Sequence, residues 1–374
     1  MSSWIARGCT PARRPAHLAG IFRGELHCTG ELQLRTCLRT AAGCERMTDL
    51  AQSIGDVLAP TLGSVEIVDL IRLTAGANRE TWSFDAVAAD ERTPLILQME
   101  RGVDPTHAGA CARDGMVLRA VAAAGAPVPE VVASGDLPNA LGRSYVVTRR
   151  IDGETIARRL QRDQRWTAAR ERFVGDCARA LVQIHAVDPG TDGLEALPRI
   201  ADPLGPIRES YLDLDDPHPA FDLALRWLDR NRPDPRPATL VHGDFRLGNL
   251  LLDEAGLAAV LDWEIAHVGD PNADLGWLCV RAWRFGSPGR VGGLGSGDDL
   301  LAAYNAAAGT NVDRRTLRWW ELWGTVRWGG MCLGMGGTFR LGLTNSIELG
   351  MIGRRVAENE ADIVDLLHEL LEER

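Results

Sequence analysis

Residues 239–276 read TLVHGDFRLGNLLLDEAGLAAVLDWEIAHVGDPNADLG. Two apolar runs within this stretch, Leu250–Leu252 and Leu257–Leu261, are separated by the four residues DEAG, which favour a tight turn. The pattern therefore predicts two short antiparallel strands joined as a hairpin. Such a hairpin brings the residue just before the first run close to the residue just after the second.

Oxygen-bearing side chains occupy the open end of this hairpin. Asn249 directly precedes the first run, Asp262 directly follows the second, and Asp244 lies five residues before Asn249. Two carboxylates and an amide oxygen suit a hard divalent cation such as Mg²⁺, which shares its other ligand positions with water and phosphates. If Asn249 and Asp262 hold Mg²⁺, Asp244 is free to accept the proton of an attacking hydroxyl. Phosphoryl transfer requires this combination.

The chain before residue 149 has a mainly strand-like pattern, whereas the chain after it is mostly helical outside 239–263. We predict an α+β fold in which a small antiparallel-sheet lobe precedes a larger helical lobe. The strands are expected at Val65–Leu73, Thr81–Val87, Pro94–Met99, Glu130–Ala133 and Ser144–Thr148. One helix is expected at Asp49–Leu58, capped by Thr48 and ended by Pro60, and another at 108–124 with Met116, Leu118, Val121 and Ala122 on its buried face.

These patterns divide the chain into three parts. Residues 1–46 hold seven arginines against three glutamates and show no sustained period, so they are expected to form a poorly ordered extension. Residues 47–150 would form the small antiparallel-sheet lobe with its one inserted helix. Residues 151–374 would form the larger helical lobe.

The order H-G-D-x-x-x-x-N, followed 13 residues later by D-x-E, resembles the aminoglycoside phosphotransferase / choline kinase-like family, which is related to protein kinases. The resemblance extends over about residues 60–360 and is nearer to the branch of kinase domains attached to acyl-CoA dehydrogenases. It implies a protein-kinase-like fold of two lobes. It also implies that Glu264 is an auxiliary group at the metal.

The resemblance assigns roles to the residues of the 239–276 stretch. Asp244 would be the catalytic base, with His242 beside it in the catalytic loop. Asn249 and Asp262 would hold Mg²⁺. His242 and Asp274 would brace the loop. The implied activity is ATP-dependent phosphorylation of a hydroxyl on a small-molecule acceptor, with GTP as an alternative donor.

Two segments of the small lobe occupy the family's nucleotide-binding positions. Gly76 and Asn78 lie in the loop that would cover the phosphates, although this loop has one glycine where the family's loop has three. Thr148, Arg149 and Ile151 lie in the crossover between the lobes, where backbone groups would bind the adenine edge.

The third strand departs from the family pattern. Gln98 occupies the position of a lysine that pairs with the nucleotide phosphates, and Asp114 that of the helix glutamate. Glutamine donates hydrogen bonds but brings no charge, so Arg79, Arg101 or Arg113 would have to supply the cation. The alternative is a pseudokinase that binds a nucleotide or metabolite without turnover.

Composition excludes several other classes of function. The 374 residues include 41 basic and 51 acidic side chains, and no basic residue is a lysine. Schiff-base and pyridoxal-phosphate enzymes and P-loops of the G-K-[ST] type are therefore excluded. The acidic balance argues against nucleic-acid binding, and no apolar run is long enough for a membrane span. Eight cysteines without a C-x-x-C pair indicate free thiols in a cytoplasmic protein.

The helical lobe offers hints about the acceptor. Residues 313–357 contain three acidic residues against seven arginines, which disfavours a polycation and suits an anionic acceptor such as a hydroxyacyl-CoA thioester. Most tryptophans after residue 276 are expected in the core, with a subset facing the acceptor. Oligomeric state is not encoded in these patterns.

Overall fold

The computed structural model describes residues 36–73, 79–89, 91–101, 109–212 and 216–372, with side chains for all of these except 36–46 and Leu212. The first half of this chain forms a small lobe of two helices and five strands. These elements are α1 (Thr36–Leu62), β1 (Glu66–Leu73), β2 (Arg79–Ala88), β3 (Glu91–Glu100), α2 (Ala110–Ala123), β4 (Val131–Gly135) and β5 (Tyr145–Arg149).

The five strands form one antiparallel sheet in the order β1-β2-β3-β5-β4. Side chains alternate along β3, so Leu95, Leu97 and Met99 pack in the core beneath α1. Gln98 lies on the opposite face, opposite Val146 of β5, which packs in a core shared with α2. The predicted strands and the antiparallel arrangement are confirmed, and α1 and α2 cover opposite faces of the sheet.

Two details of the predicted helices are wrong. Helix α1 begins at Thr36 rather than after Thr48, and it continues through Pro60 to Leu62. A proline in the last turn of a helix removes one N–H donor, but the helix need not end at the residues before it. On α2, Met116 and Ala122 are exposed, because the buried face is formed by Cys111, Asp114, Val117, Leu118 and Val121.

The second half of the chain is mainly helical, with four short strands inserted. Its elements are α3 (Ala157–Arg162), α4 (Thr167–His185), α5 (Gly205–Leu212), α6 (Pro219–Arg230), β6 (Thr239–Val241), β7 (Leu250–Asp253), β8 (Gly256–Val260), β9 (His267–Gly269), α7 (Asn272–Cys279), α8 (Gly297–Ala308), α9 (Arg314–Arg340), α10 (Ile347–Gly353) and α11 (Val356–Glu372). Strands β6 and β9 pair with each other, as do β7 and β8. The loop between β6 and β7 is therefore held at both ends.

Tryptophans dominate the core between α6, α7, α9 and α11. All six that follow residue 276 are buried, as predicted: Trp277, Trp283, Trp319, Trp320, Trp323 and Trp328. Gly276 lets α7 approach α9 closely, since a Cβ there would collide with Trp320. The packing of α7 on α9 matters for the site because both helices reach the loop after β6.

Two further expectations can be compared with the described residues. Cys111, Cys177, Cys279 and Cys332 are free thiols and all are buried. No helix in the described ranges is both long and apolar enough to cross a bilayer. The division of the chain at residues 46 and 150 stays a prediction.

Candidate active site

The β7–β8 hairpin has the predicted geometry. Leu250 pairs with Val260, and the Leu261 N–H donates to the Asn249 carbonyl at 2.9 Å. Asn249 and Asp262 therefore stand at the open end of the hairpin. Asp262 has a φ of 68°, in the left-handed region that aspartate adopts more readily than most residues.

The loop between β6 and β7 turns at Gly243. This residue has a φ of 82°, and a Cβ there would lie 2.6 Å from the Ile265 carbonyl oxygen, so both conformation and space favour glycine. The buried carboxylate of Asp274, on α7, accepts the N–H groups of His242 at 2.8 Å and of Gly243 at 2.9 Å. One side chain thus holds two successive amides of the loop.

Asp274 is itself held by a buried hydrogen-bond chain. The His185 Nε2 donates to Asp274 at 3.2 Å, and the Tyr304 hydroxyl donates to His185 Nδ1 at 2.9 Å. Burial alone would raise the pKa of Asp274, but the hydrogen bonds from His185 and from the His242 amide outweigh it and lower the pKa. Asp274 is therefore an ionised anchor for the loop.

The Asp244 carboxylate is oriented by three side chains. The Trp277 indole N–H donates to Oδ1 at 2.8 Å, and the Asn249 amide donates to Oδ2 at 2.6 Å. The Arg246 Nε lies 3.0 Å from Oδ1 and 3.1 Å from Oδ2. Sequence reasoning missed both Arg246 and Trp277. The position of Arg246, two residues after Asp244, was the only available signal.

His242 braces this loop and does not face the open site. Its ring is fully buried, and burial lowers its pKa, which favours the neutral form. In that form Nδ1 accepts the Asp244 N–H at 3.1 Å and Nε2 donates to the Leu261 carbonyl at 3.1 Å. The imidazole therefore ties the Asp244 loop to the end of β8.

The open end of the hairpin suits a cation. The Asp262 carboxylate makes no hydrogen bond or ion pair with the described residues, and burial, followed by the charges of Glu264 and Asp244, raises its pKa. Asn249 uses its amide nitrogen on Asp244, which leaves its oxygen without a donor among the described side chains. Within the described chain no three His, Cys, Asp or Glu residues cluster as a metal site, so such an ion would need further oxygens from its ligand.

Across the cleft, an arginine of the small lobe contacts the chain just beyond the hairpin. The Arg79 guanidinium, at the start of β2, is ion-paired with Asp114 of α2, and its Nε lies 3.7 Å from Glu264. Gln98 lies on the neighbouring strand β3, two residues from the position opposite Arg79. It is on the same face of the sheet as Arg79 and is partly exposed. Gly76 and Asn78, predicted to cover the phosphates, lie outside the described residues.

The crossover after β5 has few free backbone donors. The Arg149 N–H donates to the Glu130 carbonyl and the Arg150 N–H to the Pro94 carbonyl, both at 2.9 Å. The Arg149 guanidinium pairs with the Glu130 carboxylate. Thr148 is a buried residue of β5. In the crossover, the N–H of Ile151 makes no hydrogen bond with the described chain.

A cavity of about 410 Å³ lies between α5, β9 and α9. Its walls include the indoles of Trp319, Trp320 and Trp323 and the side chain of Arg327. The Arg327 guanidinium stacks between Trp277 and Trp323 and donates to the Gly243 carbonyl at 2.8 Å. This arginine connects the cavity with the loop that carries Asp244.

The arginine excess of residues 313–357 does not collect at the site. Arg314, Arg318 and Arg340 pair with Asp298, Glu369 and Asp216. Of the seven arginines in this segment, Arg327 is the one that contacts the described Asp244 loop. The charge count over the segment was therefore a poor guide, because most of its arginines are neutralised on other surfaces.

The sequence is similar to those of several known proteins. The sequence model of the phosphotransferase enzyme family (APH) matches residues 72–320. Acyl-CoA dehydrogenase family member 10 of Mus musculus is 26% identical over 220 residues, which cover 57% of this chain and 20% of the relative. Hygromycin-B 4-O-kinase of Escherichia coli is 26% identical over 251 residues, which cover 60% of this chain and 65% of that protein.

The fold has solved counterparts as well. A thermostable mutant of aminoglycoside phosphotransferase APH(4)-Ia, in a ternary complex with AMP-PNP and hygromycin B, superposes with a TM-score of 0.56 at 21% identity, covering 85% of this chain and 98% of the other. The first two curated relatives are much longer proteins, and this chain spans only 20% and 22% of their lengths. The family model covers most of the chain and the fold is protein-kinase-like, so this chain belongs to the phosphotransferase enzyme family.

Proposed function

We propose that this protein transfers the terminal phosphoryl group of ATP to a hydroxyl of a small-molecule acceptor, with Asp244 as the base. The observation that carries the proposal is the Asp244 carboxylate, held by Trp277, Asn249 and Arg246 at the end of a hairpin that also presents Asp262. A base fixed in this way can accept a proton in line with an incoming phosphoryl group.

Of the three side chains that donate hydrogen bonds to Asp244, Arg246 is the one that would move away when the acceptor substrate binds. Its Nε contacts both Asp244 oxygens, its side chain is 25% exposed, and its guanidinium rests over Trp283 at 4.7 Å. Trp277 and Asn249 are more deeply packed and keep one hydrogen bond on each oxygen. Movement of Arg246 would free a lone pair for the acceptor hydroxyl while the guanidinium stays close enough to attract a phosphate.

Magnesium fits the remaining oxygens. Asn249 Oδ1 and the Asp262 carboxylate would hold Mg²⁺, which would supply neutralisation of the charge on the transferred phosphate. His242 and Asp274 keep the loop in place, so that Asp244 and Asn249 stay aligned. GTP would use the same groups, because Asn249 and Asp262 would act on the metal and the phosphates and not on the nucleobase.

The acceptor we propose is an anionic alcohol. Arg246 and Arg327 flank the Asp244 loop, and the cavity beside Arg327 offers indole walls for an apolar or planar body. Hydroxyacyl-CoA thioesters combine a hydroxyl, an apolar chain and several phosphates, so they belong in the first panel of acceptors. The cytoplasm, where both nucleotides and such thioesters are available, is the compartment we propose.

The test measures phosphorylated product by mass spectrometry with ATP or GTP and a panel of anionic alcohols. Asp244→Ala should lower turnover about 1,000-fold, as expected for loss of a general base, and change nucleotide affinity by no more than about threefold. Glu254→Gln, at the exposed tip of the same hairpin, is the control and should retain full turnover. Nucleotide binding without turnover on any acceptor would favour the pseudokinase alternative, for which the uncharged Gln98 is the supporting observation.

A further inference from the structure

The small lobe needs a cation for a polyphosphate, and the chain restricts the choice. No lysine occurs in the 374 residues, so the cation has to be an arginine. Gln98 is uncharged, Arg101 lies at the exposed end of β3, and Arg113 precedes Asp114 on α2 without a side-chain hydrogen bond to the described residues. Arg79 is the remaining candidate from the sequence.

The surroundings of Arg79 place it inside the cleft. Its side chain is 9% exposed, although Arg79 is the first residue of its strand. Asp114 anchors it to α2, and burial, which would lower the pKa of Arg79, is outweighed by the carboxylates, chiefly Asp114, so the pKa rises. The charge is therefore permanent and its position is fixed by a helix and a strand together.

Arg79 also connects the two lobes. Its contact with Glu264 is the one ion pair, among the described residues, between the small lobe and the chain after residue 151. Glu264 follows the hairpin end by two residues, and the positive charge of Arg79 favours the ionised form of Asp262. The Arg79 guanidinium therefore lies close to the end of the hairpin, where Asn249 and Asp262 would hold a metal and its phosphates.

We propose that Arg79 is the arginine that binds the phosphate chain of the nucleotide, with Asp114 as its anchor and Glu264 as the group it leaves or shares when the nucleotide enters. This assignment rests on the proposed phosphotransferase function. A guanidinium can donate two parallel hydrogen bonds to phosphate oxygens, which a glutamine at position 98 cannot match in charge. Gln98 then contributes at most a neutral hydrogen bond.

The test is calorimetric binding of ADP and of adenosine, each with Mg²⁺, to wild type and Arg79→Gln. The variant should bind ADP about 30-fold more weakly, the loss expected for charged hydrogen bonds, and adenosine within about threefold of wild type. Arg72→Gln, which removes an exposed arginine of β1 paired with Glu80, is the matched control and should bind both ligands normally. A lysine placed next to the vacant position, Arg79→Gln/Gln98→Lys, should recover at least tenfold of the lost ADP affinity.

A purely structural role for Arg79 gives a different result. Equal losses for ADP and adenosine, or unchanged ADP binding, would overturn the proposal. If Arg79→Gln does not fold, Arg79→Gln/Asp114→Asn removes both buried charges and takes its place with the same expectations. Wild-type protein that binds no nucleotide would instead contradict the proposed function itself, so the two failures are distinguishable.

Discussion

The two sides of the cleft are built differently. On the helical-lobe side, hydrogen bonds join Asp244, Asn249, His242 and Asp274, which lie within a stretch of about 30 residues. On the small-lobe side, Arg79 and Asp114 are 35 residues apart in sequence and Glu264 comes from the other lobe. The first group consists of residues that are close in sequence, whereas the second is brought together from three distant segments of the chain.

This difference explains what could be inferred before the structure was known. The hairpin turn and the spacing of Asn249 and Asp262 are local signals, so the convergence of these groups with Asp244 was predictable. The alternation of apolar residues likewise predicted all five strands of the small sheet. Both depend on contacts between residues that are close in sequence or on a period that the sequence displays directly.

Other features depend on distant packing and could not be predicted. Trp277 reaches Asp244 because α7 packs on α9, and no pattern near residue 277 separates a core indole from one that also donates to a carboxylate. Arg79 was one of three candidates until its pairing with Asp114 distinguished it. The predicted end of the first helix at Pro60 is wrong, because a proline in the final turn of a helix is tolerated.

On the helical-lobe side of the cleft, we expect the stability of the fold to depend strongly on Asp274, which holds the Asp244 loop. Asp274→Asn replaces one acceptor oxygen by an N–H group that faces the donors of His242, Gly243 or His185, so we expect a loss of about 3 kcal/mol in unfolding free energy. Chemical denaturation of wild type and variant measures the difference. Equal stability would show that the loop does not depend on this carboxylate.

The stability difference between wild type and Asp274→Asn should also depend on pH. The pKa of Asp274 is lowered in the folded protein, so its stabilisation is complete above the unfolded pKa of about 4 and is lost as the pH falls through the folded value. The stability gap between wild type and Asp274→Asn should therefore be constant at neutral pH and shrink below about pH 4. A gap that widened on acidification would contradict this assignment.

A smaller effect is expected for Trp277, the residue of α7 that donates a hydrogen bond to Asp244. Trp277→Phe keeps most of the ring contacts but removes the N–H that donates to Asp244 Oδ1, so we expect turnover to fall about tenfold with nucleotide affinity unchanged. Steady-state kinetics with any acceptor found in the panel provides the measurement. Trp227→Phe, which changes a buried indole of α6 in the same core that does not line the cavity beside Arg327, is the control. Equal losses in both variants would mean that packing, and not the hydrogen bond, is what turnover needs.

The most direct test of the account is the thermal stabilisation of wild type and Asp262→Asn by ATP with Mg²⁺. A ligand present at 100 times its Kd stabilises the folded state by about 2.7 kcal/mol, which appears as a clear rise in Tm. We predict this rise for wild type and its loss in Asp262→Asn, because the variant lacks the carboxylate that would hold the metal beside the phosphates. An equal rise in both proteins, or no rise in wild type with any nucleotide, would contradict a metal–nucleotide site at the end of this hairpin.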